Sequence, residues 1–229
     1  MLDQKNKTEN VNLGDSINEF IQRNRKAIFF LSCAIVIAFI GVIVFISVKS
    51  NIDKKAAVKI EELNTRFDEL KNDFAQEDSN EEVDALIADL EAFAAGARGF
   101  PGSKAWTLIA EIHSDRKDWA LAEEAFINAG RVGEKTYLGP IAYFNAAAAA
   151  EEQGRIEEAI SLLHQCLSLK IEFPAAPRAQ FSIGRLNEQL ENYEEALVAY
   201  RAVLINFNDT PIWQQLANSR ITAIEVNGL

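Results

Sequence analysis

The chain has 229 residues, with 34 acidic against 23 basic side chains, a formal net charge of −11 and a pI near 4.8, a balance that argues against nucleic acid as a partner. Hydrophobic residues make up 48%, enough for a packed core and too many for a chain that stays disordered. Two cysteines (Cys33, Cys166), two histidines (His113, His164) and a single methionine exclude a disulfide framework, a cysteine-built zinc site and a Met-rich adaptable surface.

In chain order, residues 1–13 read as a disordered tail. Asp15 and Ser16 offer a helix start, with Ser16 and Glu19 at capping-box spacing. Ile17, Phe20 and Ile21 then share one face, as expected of a short amphipathic helix at a membrane surface. From Ala27 to Val48 follow 22 residues with no charged, amide or proline side chain, 15 of them Leu, Ile, Val or Phe. At about 1.5 Å per residue this run spans about 33 Å, against a bilayer core of about 30 Å. It is longer than the apolar part of a cleavable signal and runs straight into Lys49, so it is expected to be an uncleaved transmembrane anchor. Arg23, Arg25 and Lys26 abut its N-terminal end while only Lys49 lies as close at the other, which orients the N-terminus toward the cytoplasm. Residues 1–26 then form a cytoplasmic tail, and the rest lies outside the cytoplasm.

Residues 49–80 are read as a juxtamembrane helix and loop. Ala56, Ile60, Leu63, Phe67, Leu70 and Phe74 alternate in steps of four and three, a heptad-like stripe that packs either on the following domain or in a parallel homodimer through residues 56–74. Gln76 to Asn80 is a polar break and reads as a loop.

Residues 81–229 carry an internal period of 37. Ala122, Ala159 and Ala196 coincide under this shift, as do Ala110, Ala147 and Gly184, and Phe126, Leu163 and Tyr200. Ile109, Ala146 and Ile183 form another column, then Ala129, Cys166 and Val203; a further one, Trp106, Tyr143 and Gln180, lapses at its last member. A small residue on each of two helices lets them approach closely, and the large residue one turn later fills the groove between them. Each repeat is therefore one helical hairpin, at about 103–139, 140–176 and 177–213. Residues 81–96 are expected to form a degenerate half-repeat, and Pro211 to Val226, with Trp213, Leu216 and Ile221, a capping helix.

These columns resemble the tetratricopeptide repeat family, with 37 residues per copy instead of the usual 34. The expected fold is all-α: a single N-terminal transmembrane helix followed by an α-solenoid of tetratricopeptide-like helical hairpins. The resemblance places Thr107, Glu111 and Ser114, then Phe144, Ala148 and Glu151, then Arg178, Phe181, Arg185 and Glu188 on the inner, protein-binding face. Phe144 and Phe181 are either anchors for a bound polypeptide or packing between hairpins. One subclass of the family grips chaperone C-termini with Lys, Asn and Arg side chains; Thr107, Glu111, Asn145, Arg178 and Ser182 stand at those positions, and three of the five do not match it.

No phosphate loop, HExxH helix or GxSxG elbow occurs. His164 and Cys166 are two residues apart, as are Glu111, His113 and Asp115, a spacing that turns neighbours on a helix away from one another. The sequons at Asn6 and Asn208 read as chance matches. No enzyme activity, cofactor or metal is expected. The layout of tail, basic stop, span, bridging helix and small acidic repeat domain looks like the ancillary SecYEG translocon subunit (YfgM-like) family. That likeness implies a single-pass inner-membrane protein with a periplasmic repeat domain, whose partners are translocon subunits, periplasmic chaperones or exported polypeptides. The alternative is a scaffold of another envelope complex that handles no clients.

Overall fold

The computed structural model describes residues 13–71, 80–226 and 228, and every element among them is helical. The order is α1 (Leu13–Leu70), α2 (Asn80–Ala94), α3 (Gly99–Asp115), α4 (Trp119–Val132), α5 (Leu138–Glu152), α6 (Ile156–Ser168), α7 (Ala176–Gln189), α8 (Tyr193–Asn206) and α9 (Pro211–Val226). The chain divides into two compact units, Met1–Lys55 and Ala56–Leu229.

In the first unit α1 starts at Leu13, so Ser16 lies inside the helix and does not cap it. Each residue added to a helix gains a hydrogen bond, so a long helix extends readily beyond a favoured start. Of the tail expected over residues 1–13, Leu13 already belongs to α1, and residues 1–12, with the first sequon, lie outside the described residues. Between Phe29 and Val48 the large aliphatic and aromatic side chains are exposed, and the helix is long and apolar enough to cross a membrane by length and composition. The Ser32 hydroxyl donates to the Ile28 carbonyl at 2.8 Å, so this polar group is satisfied within the helix.

The second unit opens at Ala56, where the sequence reading opened the repeat domain at residue 81. Ile60, Leu63 and Phe67 are buried in the same cluster as Val83, Leu86 and Leu90 of α2, and Arg66 pairs with Asp89 across the two helices. Ile60, Leu63 and Phe67 of the stripe are thus covered by the chain's own core, the first of the two packings the stripe allows. Residues 81–96, expected as a half-repeat, have a partner helix upstream. Phe74 and the loop expected at 76–79 lie outside the described residues, and Asn80 begins α2.

Three hairpins follow, α3/α4, α5/α6 and α7/α8, and α9 takes the place of the first helix of a fourth. Ala122, Ala159 and Ala196 are fully buried, each at the close approach its column demands. Within each hairpin the turn repeats as faithfully as the core does. Lys117, Gly154 and Glu191, 37 residues apart, all adopt left-handed backbone with φ of 62°, 73° and 60°. The next amide in each case donates back to the first helix: Asp118 to His113 at 2.8 Å, Arg155 to Ala150 and Asn192 to Asn187 at 2.9 Å. This closes the helix end through backbone alone, and no side chain caps α4, α6 or α8.

The core is in two clusters. The larger runs from Ile60 to Ala199, and the smaller gathers Ala196, Tyr200, Val203, Ala217 and Ile224, with Phe181, Trp213 and Ile221 against it. Leu216, expected to help cap the array, instead points outward; Ala217 and Ile224 make the buried contact. Gly184 is forced by the second cluster, because a Cβ there would lie 2.5 Å from the Tyr200 ring.

Candidate inner-face site

The first helix of each hairpin, α3, α5 and α7, carries the residues expected on the inner face, and α9 follows them in the array. Residues of this face are tied from one hairpin to the next by two kinds of rung that recur along the array. In the first kind an aromatic ring is covered from the next hairpin: the Arg178 guanidinium sits 5.3 Å over the Phe144 ring, and Trp213 lies 5.6 Å from Phe181. In the second a glutamate is bridged from the next hairpin: Arg185 donates to Glu151 at 2.6 Å, and Arg220 donates to Glu188 through Nε at 3.0 Å and through Nη2. Phe144 and Phe181 occupy one column of the 37-residue period, as do Glu151 and Glu188, so each kind of rung is built twice, once from the second repeat and once from the third.

The first helix of the first hairpin builds no such rung; its hairpin is bridged instead from α4, where Glu123 accepts from Arg155 at 2.8 Å and from Gln153 at 2.7 Å. Thr107 is 8% exposed and its hydroxyl donates to the Ser103 carbonyl at 2.9 Å, so it is part of the core and not of an accessible face. Ser114 donates to Ala110, also within its own helix. Ala148, at the column of Arg185, is exposed and too short to bridge. Glu111 is half-buried; loss of hydration raises its carboxyl above the usual range, opposed by Lys104 and Lys71 and reinforced by Asp115 and Asp68.

At the other end α7, α8 and α9 border an open pocket of about 590 Å³ lined by Phe181, Arg185, Glu188, Tyr193, Tyr200 and Arg220 among others. Glu188 is its electrostatic centre. Burial alone would raise this carboxyl, but hydrogen bonds from Arg220 and from the Tyr200 hydroxyl, together with the guanidinium charge, outweigh that and hold it below its ordinary value. Arg220 is correspondingly raised by its hydrogen bond to Glu188, and the Tyr200 hydroxyl is raised by burial and by donating to the same carboxylate. The pocket therefore presents a fixed, neutralised acid–base pair beside an aromatic wall.

Of the residues expected on the inner face, Phe144, Arg178, Glu151 and Arg185 meet across α5 and α7, while Phe181 and Glu188 enter the pocket. Asn145 and Ser182 are half-buried and Arg178 is exposed. The sequence marks Tyr200 as a column residue and Trp213 as part of the capping helix but places neither in the site, and it singles out neither Tyr193 nor Arg220. The signal was present but displaced: α9 starts 35 residues after α7, not 37, so Arg220 and Trp213 fall out of the columns occupied by Arg185 and Arg178.

Elsewhere no catalytic grouping appears among the described residues. Cys166 is buried, its thiol pushed up to about 12 by desolvation, and His164 is exposed in a groove beside α7 and α8. Glu111, His113 and Asp115 do not converge, and no group of three or more His, Cys, Asp or Glu side chains gathers among the described residues. The Asn208 sequon lies in the exposed turn before α9.

The sequence model of the tetratricopeptide repeat family matches residues 141–170 and 177–204, the second and third hairpins. A curated relative, the "TPR repeat-containing protein" of Treponema pallidum (strain Nichols), is 37% identical over 149 residues, which is 63% of this chain; the chain spans 61% of that relative's length. Among solved structures, the nearly identical TPR-like repeats of a kinesin light chain from Podosopora anserina superpose with a TM-score of 0.52 at 16% identity, over 74% of this chain and 88% of that one. A variant of those repeats gives the same TM-score at 15% identity, with the same coverage. At that identity the likeness is one of fold. The repeat domain is tetratricopeptide-like in sequence and in architecture, the kind of scaffold that generally binds other proteins.

Proposed function

We propose that the protein is a membrane-tethered, non-enzymatic protein-interaction module. Residues 27–48 cross the inner membrane with the N-terminus in the cytoplasm, and the repeat domain works on the periplasmic side. Support for the span is the exposed apolar surface of α1, which no described residue covers and which in water would carry a large hydration cost. The inner face receives the partner, and the pocket between α7, α8 and α9 is its centre. That pocket is the observation that carries the reading, since it joins aromatic surface to polar side chains held in place by their mutual hydrogen bonds, the combination from which interface anchors are built. The family whose layout this chain resembles makes translocon subunits, periplasmic chaperones and exported polypeptides the partners, with the protein assisting export or folding beside the Sec translocon. Tethering raises the effective concentration toward anything else held at the membrane.

One observation favours the second reading, a scaffold in another envelope complex. Phe144 and Phe181 are covered by Arg178 and Trp213 and so are not free anchors for many unfolded chains. A surface with its charges already paired suits one shaped partner better than a range of clients.

The test is a photo-crosslinking side chain at Gln189, on the pocket rim, in the full-length protein in living cells, with the exposed Glu157 on α6 as control position. Adducts at residue 189 that contain translocon subunits, export chaperones or exported polypeptides support the first reading. One unrelated envelope protein at fixed stoichiometry supports the scaffold. The absence of adducts specific to residue 189 would overturn the inner face as the binding surface.

A further inference from the structure

A repeat array ends in an element whose outer side meets water, and such an end is ordinarily polar and charged. Helix α9, the last helix among the described residues, carries no charge on its outer side. Ile212, Gln215, Leu216, Ser219, Thr222 and Val226 are all exposed and fall within one arc of about 120° at 100° per residue. Ile212 is 72%, Leu216 42% and Val226 79% exposed, and no described residue covers them. The two charged residues of α9 flank this arc on either side, and both are consumed within the chain: Arg220 by Glu188, and Glu225 by Arg201 at 2.9 Å.

We infer that this face of α9 is the contact by which two copies of the chain associate, antiparallel and related by a two-fold axis at Ser219. Charge argues for a second copy over other occupants. A chain of net charge −11 repels itself over most of its surface, and this neutral strip is where two copies meet without opposing like charges. The sequence of the strip is also self-complementary. About a two-fold axis at Ser219, Ile212 faces Val226 of the second copy, Leu216 faces Thr222, and Gln215 faces Ala223. The small Ser219 pair lets the helix axes close at the centre while large aliphatic groups meet at both ends, as an isologous contact requires. Helix α9 has 16 residues and is therefore about 24 Å long, so one helix pair lies at the small end of specific interfaces and the association is weak and concentration-dependent. The inference does not rest on the inner-face reading, because the strip is made by its own residues and borders the pocket only at Ala223, which also lines it.

Weak association calls for trapping. In full-length protein carrying Cys33→Ser, in mild detergent, Ser219→Cys places a thiol at the two-fold axis, and Cys166 is buried and does not compete. Mild oxidation is expected to give a disulfide-linked dimer at least fivefold above that from Glu157→Cys, which reports random collision. Adding Leu216→Glu is expected to abolish the excess. Adding Thr222→Lys to that variant is expected to restore it, because each introduced carboxylate then faces an introduced ammonium on the other copy. Trapping no better than the Glu157→Cys control would overturn the inference, as would trapping indifferent to Leu216→Glu. Failure of the Thr222→Lys rescue while tryptophan emission shows the array folded would refute the antiparallel register.

Discussion

Gly184 sits in a column whose other members are Ala110 and Ala147, and the structure gives the reason in distances. A methyl group at residue 184 would lie 2.5 Å from Cε1, 2.7 Å from Cδ1 and 2.8 Å from Cζ of Tyr200, where carbon atoms prefer about 3.5–4.0 Å. The ring would have to move by about 1 Å, yet Tyr200 is fully buried and its hydroxyl is bound to Glu188. Overpacking of this kind costs about 1–3 kcal/mol, here in the upper part of the range because three ring atoms are struck at once. Replacing glycine by alanine in a helix returns about 1 kcal/mol, so Gly184→Ala is expected to destabilise the array by about 1–2 kcal/mol. The second repeat solves the same packing with Ala147 and Leu163. In a Tyr200→Leu background the clash is gone, only the helix gain remains, and Gly184→Ala should stabilise by about 1 kcal/mol. The coupling between the two sites is then about 2–3 kcal/mol. Urea titration of the full-length protein in detergent reads this out through tryptophan emission, since Trp106, Trp119 and Trp213 all lie in the array. With a slope of about 2 kcal/mol per molar, Gly184→Ala lowers the midpoint by about 0.5–1 M in the parent and raises it in the Tyr200→Leu protein. Equal effects in both backgrounds, within about 0.5 kcal/mol, would refute the packing argument.

The hairpin turns give a second prediction. Glu191→Gly, at φ 60°, should stabilise by about 0.5–1 kcal/mol while Gly154→Ala, at φ 73°, should cost about 1 kcal/mol, and thermal unfolding of the two variants should move in opposite directions. Acid titration separates the two perturbed glutamates. Glu188 is lowered in the folded chain, so its contribution is complete above the unfolded value near 4.5 and is lost as pH falls through the lower folded value; Glu188→Gln should weaken the array at neutral pH and flatten its acid limb. Glu111 is raised, so the folded state is penalised above that raised value and relieved as pH falls toward 4.5. Glu111→Gln should therefore increase the denaturant midpoint at pH 7 and remove that relief, and a lower midpoint would contradict the assignment.

Much of the architecture was legible because it is periodic. The small-residue columns fixed where helices meet, and Ala122, Ala159 and Ala196 are fully buried as close contact requires. The heptad-like stripe was legible as a buried face, but whether Ile60, Leu63 and Phe67 face α2 or a second chain depends on α2's own apolar residues Val83, Leu86 and Leu90, which no period links to them. The inner face was half-legible. A fixed shift finds residues that occupy the same place in successive hairpins, whereas a rung joins different places in neighbouring ones. Glu151 reaches Arg185, and Glu188 reaches Arg220, at separations of 34 and 32 residues, which the 37-residue shift does not bring into register. Thr107 was misplaced for a related reason: its column is inward-facing in the later hairpins, but in the first its hydroxyl turns back onto Ser103 and the residue sinks into the core.

The division of the core into two clusters has a mechanical consequence. Helix α8 is shared, with Ala199 in the larger cluster and Ala196, Tyr200 and Val203 in the smaller, so the last helix and the far side of α8 form a segment held by its own small core. Opening proteins usually yield first where few apolar contacts cross a boundary. Prising α9 away would part Arg220 from Glu188 and Trp213 from Phe181, yet leave everything from Ile60 to Ile183 packed. The terminal helix is thus a clasp, able to release the inner face without unravelling the array it closes.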